Sequence, residues 1–165
     1  MRQPLKRFTT AALLLLVITA ASEAEENAER DATSYVTRLG DLMVIMQIRH
    51  AKLFFAAKRG NWPLAAFELE QLSSSLKEAG RYYPKIVSTS DLADAAELKE
   101  SVSVAIKAKD EANFDRSFDK MTAQCNGCHK VADRAFLFIR RPLSASAFSN
   151  QAYGVRRHRR EDDVR

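Results

Sequence analysis

Apolar residues recur along this chain at alternating steps of three and four, the spacing that gathers them on one face of an α-helix. In the first such stretch, Asp31 to Arg59, the seam is Leu39, Met43, Met46, His50, Leu53 and Ala57. Gly60 then reads as a stop, and Asn61-Trp62-Pro63 as a cap with proline in the first turn. A second helix turns Ala65, Leu69, Leu72 and Leu76 inward and is expected to end at Gly80, before Tyr82-Tyr83-Pro84 breaks the pattern. Ser90-Asp91 opens a third, with Leu92, Ala95, Leu98, Val102 and Ile106 inward and an end near Lys109. The fourth is expected over Glu111 to Ile139, on a seam of Phe114, Phe118, Met121, Cys125, Cys128, Ala132, Ala135 and Ile139. No stretch sustains period-two alternation. The pattern predicts an all-α fold, an antiparallel up-down-up-down four-helix bundle with its first and last helices side by side.

The last seam carries Cys125-Asn126-Gly127-Cys128-His129. C-x-x-C-H is the attachment signature of c-type haem. Residues i and i+3 of a helix share one side, so both thiols can form thioethers along one haem edge, and His129 can supply an axial nitrogen to iron. Its other ring nitrogen then needs a carbonyl, a carboxylate or water. Zinc would need further ligands, and His50 and His158 are not spaced as a second pair. A thioredoxin-like redox pair sits at a strand-to-helix turn, and no strand precedes Cys125. A disulfide across two residues of a regular helix would be strained.

Toward the N-terminus, Arg2, Lys6 and Arg7 precede an apolar run from Ala11 to Ala21, followed by small residues at Ser22 and Ala24. This reads as a secretory signal peptide over residues 1–24, cleaved after Ala21 or Ala24, and it implies a periplasmic location with no lasting membrane insertion. The run is shorter than the ~18 residues of a spanning helix. The bundle domain is assigned to residues 25–142 and a basic, disordered tail to residues 143–165.

The formal charge of +5 comes from the two ends. Residues 25–139 hold 16 basic and 17 acidic side chains, whereas residues 140–165 hold seven basic and three acidic. The body therefore needs no polyanion, and nucleic acid is not an expected partner.

The stretches Leu39-Gly40-Asp41-Leu42-Met43, Arg49-His50-Ala51-Lys52-Leu53 and Gly60-Asn61-Trp62-Pro63-Leu64-Ala65, together with the C-x-x-C-H run, resemble exported bacterial cytochrome c-like proteins. The arrangement as a whole resembles class II cytochromes c, the four-helix-bundle group that includes cytochrome c′. The likeness spans Asp31 to Pro142. It implies one covalent haem c, His129 as proximal iron ligand, often a homodimer, and either electron transfer to a redox partner protein or binding of a small gas such as NO or CO.

Counting equal rises along antiparallel helices puts His129 opposite Leu42 to Met46. Met43 is the first candidate for a sixth iron ligand and Met46 the second; both also suit ordinary core positions. Leu42 could instead close the pocket and leave iron five-coordinate. An inward His50 needs a hydrogen-bond partner, for which Glu68 and Glu70 are the candidates, or else it serves the haem as ligand or propionate partner. Gly40 is expected beside a close neighbour such as the ring, Arg134 and Lys130 near propionates, Trp62 at a helix corner, and Phe136 and Phe138 over an open haem face. No nucleophile–base pair or paired carboxylates stand out, so the chain is read as an electron carrier rather than an enzyme.

Overall fold

The structure is a computed structural model that describes residues 37–144 and 151–155; the expected signal peptide and most of the basic tail lie outside these residues. Among the described residues there are four helices and no strand. They are α1, Leu39–Lys58; α2, Trp62–Tyr82; α3, Thr89–Ala108; and α4, Glu111–Val131. All four belong to one compact unit that begins at Arg38. Together they form an all-α four-helix bundle, and none is long and apolar enough to cross a membrane.

Capping explains most boundaries. Asn61 accepts from the Leu64 N–H with proline in the first turn of α2, as its sequence implies. Ser88 and Asp91 form a capping box, so α3 starts slightly before the expected Ser90. Lys109, with φ 54°, ends it.

Two expected ends move. α2 runs through Gly80 to Tyr82. The glycine serves packing rather than termination, since a Cβ there would lie 2.6 Å from Leu92 Cδ1 of α3. α4 stops at Val131, well short of Ile139. Asp133 takes a left-handed φ of 60°, its N–H donates to Lys130 O at 3.2 Å, and the Arg134 N–H donates to His129 O at 2.7 Å. That pair of bonds is a Schellman stop with aspartate in the place glycine usually fills. Ala132, Ala135 and Ile139 consequently leave the helical seam.

The larger core cluster joins Leu53, Leu69, Val102, Ile106, Phe114 and Phe118, with Trp62 edge-on to Phe114 at the corner. Burying such side chains stabilises the fold by roughly 1.5–3 kcal/mol each. Here α1 and α4 interlock in antiparallel register: His50 with Thr122, Phe54 with Phe118, and Lys58 with Glu111 and Asp115. A smaller cluster of Leu42, Met46, Ala79 and Val87 fills the opposite end. Tyr153, from the stretch expected to be a disordered tail, is buried in the larger cluster with its ring 5.6 Å from that of Phe55.

Candidate functional site

Between the two clusters the helices part around a cavity of about 670 Å³. Its walls include Met43, Met46 and His50 from α1, Leu72 and Leu76 from α2, Leu92 and Leu98 from α3, and Cys125, Cys128 and His129 from α4. The three chemically active residues of the C-x-x-C-H run thus share one apolar chamber, because the α4 seam that buries Phe114, Phe118 and Met121 carries on into it.

Both cysteines are free thiols. Burial pushes each above its ordinary pKa, Cys128 to about 11, where the Asp91 carboxylate adds to the effect. Cys128 Sγ lies 3.6 Å from Asp91 Oδ1 and donates to it. The carboxyl of Asp91 is held below its usual range, chiefly by the Ser88 hydroxyl, so the pair at neutral pH is a thiol and a carboxylate.

His129 is oriented from outside the helix. Its Nδ1 lies 2.6 Å from Leu137 O. A carbonyl only accepts, so Nδ1 carries the proton and Nε2 is left with the lone pair. Leu137 belongs to the segment that turns back along α4 after Asp133. Asn126 holds the same segment with two bonds, Nδ2 to Ile139 O at 2.8 Å and Oδ1 from the Ile139 N–H at 2.7 Å. Further along, the Arg141 guanidinium forks onto Asp119 at 2.5 and 2.7 Å. Phe136 and Phe138 border the cavity but remain 77% and 73% exposed.

His50 is buried, and its partner is neither glutamate named from the sequence. Nε2 lies 2.8 Å from Thr122 Oγ1, whose hydroxyl donates to Phe118 O at 2.8 Å. The hydroxyl therefore accepts from Nε2–H, and Nδ1 bears the lone pair. Glu68 pairs with Arg49 at 2.9 Å and Glu70 with Lys99 at 2.6 Å. Burial lowers the His50 pKa to about 4, so the ring is neutral near pH 7. His50 also borders a second space of about 260 Å³ beneath Phe138 to Leu143.

Of the candidates on α1, Met43 and Met46 both line the main cavity, whereas Leu42 is buried in the small cluster and does not. The register set by His50–Thr122 and Phe54–Phe118, carried along the pair, brings Met43 level with His129. Gly40 lines the cavity, and a Cβ added there would meet nothing within 4 Å, so no protein atom requires glycine at this position. Arg134 reaches the cavity and Lys130 does not. Asn126 and Thr122 escape a sequence reading: one is a variable position of the motif, the other a polar residue off the predicted seam whose partner is 72 positions away.

Among the described residues, no group of three or more His, Cys, Asp or Glu side chains converges as ligands for a bare metal ion. No family model, curated protein or solved structure matches the chain.

Proposed function

We propose that this chain is an exported c-type cytochrome that holds one haem through Cys125, Cys128 and His129 and passes single electrons to a redox partner protein. The observation that carries the reading is the convergence of two thiols and an imidazole from one pentapeptide on an apolar cavity of about 670 Å³. That volume lies within the roughly 300–1,000 Å³ of pockets that enclose a cofactor-sized ligand.

The residues fit the group. Cys125 and Cys128 would hold it as thioethers, each S–H adding across a vinyl C=C with no leaving group. His129 offers Nε2, because Leu137 O already occupies Nδ1. Iron carried in a macrocycle would ask the chain for only one or two ligands, of which His129 would be one. The haem iron supplies one-electron chemistry by alternating between ferric and ferrous states. Leu72, Leu76, Leu92 and Leu98 exclude water and keep the local dielectric low.

Covalent maturation takes place outside the cytoplasm, in keeping with the leader read in residues 1–24 and a periplasmic location. The test is expression with a periplasmic haem-attachment system, followed by denaturing electrophoresis and spectra of the oxidised and reduced forms. Haem that stays with the chain, and is lost when Cys125 and Cys128 are both changed to alanine, supports the reading. Haem that separates on denaturation overturns it.

A further inference from the structure

The segment that orients His129 is held by polar clamps rather than by buried apolar surface. Phe136 and Phe138, on either side of Leu137, are 77% and 73% exposed and contribute little anchoring. The contacts with α4 run in antiparallel order: Leu137 O on His129 Nδ1, Ile139 on Asn126, and Arg141 on Asp119. His129 and Asn126 are three residues apart on a helix and so share one face.

Asn126 is suited to this task by its chemistry. A primary amide presents a donor and an acceptor side by side, so it can engage both the N–H and the C=O of one backbone residue, as a neighbouring strand would. At 2.8 and 2.7 Å both bonds are well formed. Aspartate would keep only the acceptor and set a charge against Ile139 O; alanine would keep neither.

We propose that Asn126 is a positioning residue for His129: by clamping Ile139 it keeps the Leu137 carbonyl on Nδ1 and so sets the electron-donating strength of Nε2 toward iron. The inference rests on the haem reading above. A carbonyl on Nδ1–H makes the imidazole a stronger donor and favours the ferric state. Loosening the clamp favours the ferrous state and raises the reduction potential.

The experiment uses the matured holoprotein with Asn126→Ala, and with Ile139→Pro, which deletes the N–H that Asn126 accepts and leaves the pentapeptide intact. Three quantities are read: reduction potential, exchange of the His129 Nδ1 proton by NMR in the ferrous form, and exchange of the Leu137 amide, whose N–H donates to Arg134 O at 2.8 Å. Both variants are expected to speed both exchanges several-fold and to shift the ferric/ferrous balance about threefold to tenfold, tenfold being 59 mV for one electron. Faster amide exchange with an unchanged potential and Nδ1 proton would make the clamp purely structural and overturn the inference. Unchanged amide exchange would overturn it too. If Asn126→Ala fails to accumulate, Ile139→Pro decides. A wild-type Nδ1 proton that exchanges as freely as solvent-exposed imidazole sinks the inference without any variant. A wild-type chain with no covalent haem sinks the functional reading itself, which separates the two failures.

Discussion

His50 Nε2 lies 2.8 Å from Thr122 Oγ1, a bond that ties α1 to α4 where the bundle begins to open around the cavity. The Thr122 hydroxyl is already committed to Phe118 O, so it accepts from the imidazole. Thr122→Val keeps the shape and leaves the buried N–H unpaired. The expected loss is about 1–3 kcal/mol of stability by urea denaturation. His50→Leu combined with Thr122→Val removes both polar groups, and its loss should fall below the sum of the single changes. Strict additivity would mean that the bond contributes no coupling.

The same histidine makes stability depend on pH. Its folded pKa is lowered from 6.5 to about 4 by burial, and among the described residues its hydrogen-bond partner is the Thr122 hydroxyl rather than a carboxylate. Between those values the unfolded chain binds a proton that the folded chain does not, so stability rises with pH through this window. The contribution is complete above pH 6.5 and is lost as pH falls toward 4, a change on the order of 3 kcal/mol. His50→Gln should flatten that part of the stability–pH curve. An equally steep curve in the variant would place the titration elsewhere.

The seam residues and the C-x-x-C-H run were legible because period and spacing are local. The four helices, the cap at Asn61, the end of α3 near Lys109 and the inward side of Cys125 and Cys128 follow from them. The end of α4 was hidden because Asp133 fills a left-handed position usually marked by glycine. Gly80 misled in the opposite sense: its lack of a side chain serves contact with Leu92 and not a stop. The partner of His50 and the clamp at Asn126 depend on tertiary register, which no local period encodes.

Tyr153 packs into the larger cluster, yet its hydroxyl is buried with no hydrogen-bond partner among the described residues. Burial and the nearby Glu68 charge both push its pKa up, keeping the phenol neutral. Tyr153→Phe retains the ring contact with Phe55 and removes the unpaired group. Stability should rise by about 1 kcal/mol, whereas Tyr153→Ala should lower it by roughly 3–5 kcal/mol. A thermal melt distinguishes them, and a Phe variant less stable than wild type would mean that the hydroxyl finds a partner in solution.

Met43 and Met46 line the same cavity but stand differently in the fold. Met46 is a member of the small buried cluster, whereas Met43 is partly exposed, packs against it and sits at the level of His129 in the helix register. If Met43 supplies the sixth ligand, Met43→Ala converts a low-spin spectrum to a high-spin one and opens the iron to carbon monoxide. Met46→Ala should leave the spectrum unchanged while costing about 2–5 kcal/mol of stability, the usual loss for a truncated core side chain. A low-spin spectrum that survives Met43→Ala rules out Met43 and turns attention to His50, whose free Nδ1 is the nitrogen able to bind. A wild-type spectrum that is already high-spin and shifts under carbon monoxide makes the iron five-coordinate, and the chain a binder of small gases rather than an electron carrier.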